Sequence, residues 1–109
     1  MAARTPNELA LRELLVAATL NAEGRTGEAI QRARSAAGLL PDSTWPLGAV
    51  ASYCEQAGRY DDAIAAAERA ATLAGEAGRA PWDERVAKLK AARAAATDRR
   101  GREELLKGR

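Results

Sequence analysis

The chain has 109 residues, which bounds it to one domain with a single core. One cysteine and no histidine exclude an intramolecular disulfide and remove the commonest general base and metal ligand. Charged residues make up 29% and are well mixed, and the net charge is only +2, so no electrostatic footprint for nucleic acid stands out.

Apolar residues reach 47%, but roughly a quarter of the chain is alanine and phenylalanine is absent, far from ordinary usage. Alanine buries little area. The expected core is therefore thin, with helices in close approach. The N-terminus MAARTPNELALRELLVAATL has no long apolar run or small-residue cleavage pattern before Glu8, so neither a secretion signal nor a membrane span is expected. The expected compartment is the cytoplasm.

Thr5-Pro6-Asn7-Glu8 is a helix start. Threonine caps, proline suits the first helical position, and Glu8 completes a capping box. That helix is expected to run to about Ala22 and stop near Gly24. Thr26 is the expected cap of a second helix ending before Pro41. Asp42 and Ser43 offer caps for a third, which Gly58 ends. Asp61 is the expected cap of a fourth, with Asp62 in its first turn, where the macrodipole favours a negative charge. GEAGRAP, residues 75–81, reads as a loop. A fifth helix starts near Pro81 and runs to about residue 97. The charged stretch 98–109, broken by Gly101, is expected to fray or to form a short sixth helix. The fold class is all-α, with about five helices, short loops and no strand signal.

Two stretches repeat one another at a step of 34 residues. AEGRTGEAIQRARSAA (22–37) aligns with QAGRYDDAIAAAERAA (56–71). Gly24 falls on Gly58, Arg25 on Arg59, Glu28 on Asp62, Ala29 on Ala63, Ile30 on Ile64 and Ala36 on Ala70. A fixed period in this range marks a repeat architecture.

With its glycine and Asp-Asp-Ala-Ile in place, the second copy, LGAVASYCEQAGRYDDAIAAAERA, resembles the tetratricopeptide repeat, a helix-turn-helix unit of this period. The resemblance covers about residues 8–75. It implies a helix-turn-helix repeat solenoid forming a single domain. Repeat one spans about 8–41, repeat two about 42–76, a capping helix about 81–97, and a charged tail 98–109. By the same resemblance, Ala51 and Ala63 are small where the two helices of a unit cross. Gly58 turns the chain, Tyr60 fills the space beside the turn, and Ala70 admits the next unit. The matching residues of the first copy are Ala17, Gly24, Ala29 and Ala36, with Thr26 where the second has Tyr60. Trp82, Val86 and Leu89 share one face of the closing helix. The chain departs from the family in placing Glu13 where an aromatic is usual and in shifting Trp45 by a residue or two. Two full units are also fewer than the three that such stacks usually need.

No residue pattern points to catalysis. Adjacent Asp61 and Asp62 diverge on a helix. Cys54 lacks a histidine to activate it and reads as a small buried hydrophobe. No phosphate loop or metal spacing is present, so no cofactor and no metal are expected. The tail arginines read as a solvated terminus rather than a nucleic-acid or membrane contact.

The first helix is more informative. Leu9, Val16 and Leu20 form one apolar stripe, and Leu11, Leu14, Leu15 and Ala18 a second. A terminal helix with two apolar stripes needs a second partner. The resemblance implies a concave groove lined by the first helix of each unit, with Leu11, Leu14, Ala18 and Asn21 from one and Trp45, Ser52, Glu55 and Gln56 from the other. The expected function is non-catalytic scaffolding, in which a segment of another protein or peptide buries an apolar surface and Asn21, Glu55 and Gln56 give polar selectivity. Two alternatives stay open. A homodimer supplies the missing unit, or upstream units of a longer array cover the stripe.

Overall fold

The computed structural model describes residues 4–108 and is all-helical, with no strand among the described residues. Its helices are α1 (Pro6–Ala22), α2 (Thr26–Leu39), α3 (Trp45–Gln56), α4 (Tyr60–Gly78) and α5 (Ala80–Lys107). Each helix packs on the next in chain order, and α1 also touches α3. The result is long and thin, with extents of 67 × 36 × 16 Å.

The two tight turns are built alike, bond for bond. At the first, Gly24 takes φ of 81°, its N–H donates to the Asn21 carbonyl at 3.0 Å, and the Arg25 N–H donates to the Leu20 carbonyl at 2.9 Å. At the second, Gly58 takes φ of 74°. Its N–H donates to the Glu55 carbonyl at 3.0 Å, and the Arg59 N–H donates to the Cys54 carbonyl at 2.8 Å. Both are Schellman turns, which satisfy the orphan carbonyls at a helix end and need a left-handed residue. Any Cβ is strained in that conformation, although nothing lies within 4 Å of either position. Gly58→Ala is expected to lower stability by about 1 kcal/mol, measured as a shift in urea midpoint with unchanged slope.

These turns correct the expected caps. The residue before α2 is Arg25, not Thr26, and the residue before α4 is Arg59, not Asp61. The Ala29 and Ala63 N–H groups already bond the Arg25 and Arg59 carbonyls, so each helix begins directly out of the Schellman turn and leaves no room for a separate cap. Thr26 instead donates its hydroxyl to Asn21 Oδ1 at 3.1 Å. Asp61 and Asp62 lie in the first turn of α4. Thr44, rather than Asp42 or Ser43, precedes α3. At α1, the Thr5 hydroxyl accepts the Glu8 N–H at 3.2 Å, as expected.

Two further differences concern the C-terminal third. The expected loop at 75–81 is reduced to a kink. Gly75 leaves the helix with φ 71° and ψ −177°, and the chain is helical again up to Gly78. The expected tail is part of α5 as far as Lys107; its last residue, Arg109, lies outside the described residues. Gly101 costs about 1 kcal/mol in a helix, too little to stop propagation from a helix already nucleated by its docked first turns.

The core is lined by alanine. Ala17, Ala29, Ala36, Ala51, Ala63 and Ala70 are all 0% exposed. Ile30, Leu47, Val50, Cys54, Ile64, Val86 and Leu89 fill the spaces between them. On α1 the contact face is centred on the fully buried Ala10 and Ala17, because a methyl side chain lets α2 approach closely. The two leucine-rich stripes flank that face rather than forming it. Leu14 packs against the core, Leu9, Val16 and Leu20 are half-buried, and Leu11, Leu15 and Ala18 are exposed.

Candidate functional site

Side chains of α1, α3 and α5 meet on one side of the molecule. The Asn21 amide donates from Nδ2 to Gln56 Oε1 at 2.9 Å and joins α1 to α3. An Arg85 guanidinium nitrogen donates to Ser52 Oγ at 2.6 Å and joins α3 to α5. The same guanidinium stands 6.0 Å from the centre of the Trp82 ring, close enough for a cation–π contact. A Cβ on Gly48 would lie 3.3 Å from the tip of that ring, so the glycine lets the indole close onto the α3 backbone.

Residues 45, 48, 52 and 56 recur at helical spacing and share a side of α3. Trp45 is 44% exposed at the start of this row and Gln56 closes it. The contacts advance together along both chains, from Gly48 to Ser52 on α3 and from Trp82 to Arg85 on α5. The two helices therefore run in the same direction here. This side thus has an indole end (Trp45, Trp82), a cationic middle (Arg85 on Ser52) and a polar end (Gln56 with Asn21, and exposed Glu55). Arg85 is half-buried and has no carboxylate partner among the described residues, although eight ion pairs form elsewhere. On α1, Leu11, Leu14 and Ala18 recur at the spacing that leads to Asn21 and share its side of the helix.

Comparison with protein-family models, curated proteins and solved structures finds no match to this chain.

Of the eight residues marked from the sequence, the structure ties Asn21, Ser52 and Gln56 directly into inter-helix contacts. It leaves Trp45, Glu55, Leu11 and Ala18 exposed and turns Leu14 partly into the core. The amides of Asn21 and Gln56 serve first as a tie between helices, because Asn21 also accepts the Thr26 hydroxyl. The sequence does not mark Arg85, Gly48 or the α3-facing side of Trp82 as part of the site. The available signal was the Trp82–Arg85 spacing of one helical turn, the geometry for a guanidinium stacked on an indole.

The other polar clusters are balanced. Asp62 pairs with Arg34 and Arg59, and Asp61 with Arg93. Cys54 is fully buried, and burial pushes its thiol pKa up, with nearby Arg34 and Arg59 opposing and Asp62 adding to the shift. Such a thiol is a poor nucleophile at neutral pH. Among the described residues no group of three His, Cys, Asp or Glu is placed to hold a metal ion. Among the described residues no helix is long and apolar enough to cross a membrane. The remaining face of α1 carries an open depression of about 390 Å³, with Arg12, Leu15, Val16, Thr19 and Leu20 among its lining.

Proposed function

We propose that this chain is a short tetratricopeptide-like solenoid that binds a segment of a partner protein in the groove of α1, α3 and α5, with no reaction of its own. The repeat reading is supported by the two Schellman turns and by the buried alanines at matching positions of both copies. The observation that carries the binding reading is the pairing of an exposed indole, Trp45, with Arg85, a half-buried cation that lacks a carboxylate. Tryptophan and arginine are the residues that most often carry interface energy. A partner would set a flat apolar side chain on Trp45 and a carboxylate on Arg85.

The test is selection from a random-peptide display library on the immobilised protein. Enriched peptides are expected to combine an acidic residue with an apolar one. Their affinity should fall about tenfold or more with Trp45→Ala and with Arg85→Ala, since an interface anchor is worth about 2 kcal/mol or more. Arg34→Ala, on the other side of the fold, should leave it unchanged. Equal binding by all three variants would show that this side of the molecule is not the binding surface.

A further inference from the structure

The end of α5 carries the chemistry that the groove lacks. From Thr97 to Gly108 every residue is exposed, including Leu105 at 74% and Leu106 at 73%, yet the helix continues to Lys107. Helical segments of this length are marginal alone in water, and an exposed leucine pair gains nothing from burial there. Residues 99, 103 and 106 lie on one side of this helix, at steps of four and three. In order they are Arg99, Glu103 and Leu106, and the first two border an open depression shared with Gly58 and Tyr60 of the same chain. Neither Arg99 nor Glu103 has an ion-pair partner among the described residues.

The groove presents the complement of this row. Along the common direction of α3 and α5 it offers the indoles of Trp45 and Trp82, then the Arg85 guanidinium on Ser52, then the exposed carboxylate of Glu55. A helix entering antiparallel to α3 brings Leu106 to the indoles, Glu103 to Arg85 and Arg99 to Glu55. The steps agree. Leu106 to Glu103 is one helical turn, as is Trp82 to Arg85, and Glu103 to Arg99 is one turn, as is Ser52 to Glu55.

A chain cannot satisfy its own groove in this way. Arg85 and Glu103 belong to one helix, and their separation along it is fixed at about 27 Å by the 1.5 Å rise per residue. We propose that the occupant of the groove is a second copy of this chain, with residues 99–106 of one copy lying between α1, α3 and α5 of the other. This rests on the groove reading above and names its partner.

Sedimentation velocity on the full chain, from micromolar to near-millimolar concentration, tests it. The mass is expected to rise with concentration above the 11.5 kDa of one chain. Glu103→Arg, at an exposed position, and Arg85→Glu should each weaken association about tenfold or more, by setting like charges against each other. The chain carrying both reversals should regain it. Circular dichroism of the single variants should show the helix content of the parent. A mass of 11.5 kDa at every concentration overturns the proposal, as does association that neither reversal changes. If the chain stays a monomer while selected peptides still bind in a Trp45-dependent way, the self-occupied groove is wrong and the groove itself stands. If neither binding occurs, both fall.

Discussion

Leu89→Ala is expected to lower stability by about 2–5 kcal/mol, the range for removing a buried leucine side chain. The folded state of a chain this size is worth only about 5–15 kcal/mol, so the effect is large. The reason lies in how α5 is held. It is the longest helix, yet Val86 and Leu89 are its only buried residues, and Leu89 is 1% exposed. The Arg93–Asp61 pair also reaches across to α4, but Asp61 is largely and Arg93 about half solvated, and such pairs contribute about 1 kcal/mol or less. Leu89 is therefore the largest fully buried side chain in the docking of α5, beside Val86, Trp82 and the Arg85–Ser52 contact.

Its loss should also change the order of events. The fluorescence of Trp82, on α5, should shift at a lower urea concentration than the loss of helix in α1–α4, and coincident transitions would contradict this account of the docking. Leu105→Ala is the matched control, because it removes the same atoms from a 74% exposed position on the same helix. In dilute solution it should change stability by no more than about 0.5 kcal/mol. Equal costs at the two positions would mean that burial of Leu89 is not what holds α5.

The second large effect is kinetic. A soluble thiol reagent is expected to modify Cys54 at least about a thousandfold more slowly in the folded chain than in urea, because reaction waits for an opening whose population follows the stability. Two features combine. The side chain is 0% exposed, between α3 and its neighbours. Burial also raises the thiol's pKa above its ordinary 9.0, which lowers the thiolate fraction at any given pH. The sign for stability follows. The folded chain keeps this proton to higher pH than the unfolded chain does. The contribution of the group is therefore complete below the ordinary thiol value and is lost progressively as pH rises past it toward the folded value. Cys54→Ser should flatten that part of the pH profile. Rapid labelling of the native chain at neutral pH would show that α3 opens locally without global unfolding.

The all-helical class was legible because its causes are local. Gly24 and Gly58 stand where only a residue free to take positive φ closes a Schellman turn, and Thr5-Pro6-Asn7-Glu8 opens α1 as its side chains dictate. The errors at the caps have a local cause too. Thr26 and Asp61 are good capping types, but the turn before each already delivers the chain in helical register, and sequence pattern does not show which residue makes the first bond. At the other end, the charge of residues 98–109 and Gly101 suggested either fraying or a short sixth helix, whereas α5 continues unbroken to Lys107. Helical order there is inherited along the chain from docked turns nearer the start of α5, and composition does not record that inheritance.

The sequence by itself determined the helices, the two matching turns and the alanine positions, since capping, left-handed glycine and small size at a crossing are properties of single residues and their spacing. That Trp45, Ser52, Gln56 and Asn21 share one side was an expectation carried by the resemblance alone, not by the residues themselves. Only the tertiary structure decided which side chains complete that side. Arg85 reaches Ser52, and Trp82 closes on Gly48, because the packing of α4 brings α5 beside α3 in the same direction. The 33-residue separation of Arg85 and Ser52 leaves no periodic trace in the sequence. It was likewise packing that sent α2 onto Ala10 and Ala17 and left Leu11 and Leu15 in solvent. Hydrophobicity alone favours burying the leucines. The closer approach that two methyl groups permit outweighs it, and that comparison exists only once the second helix is in place.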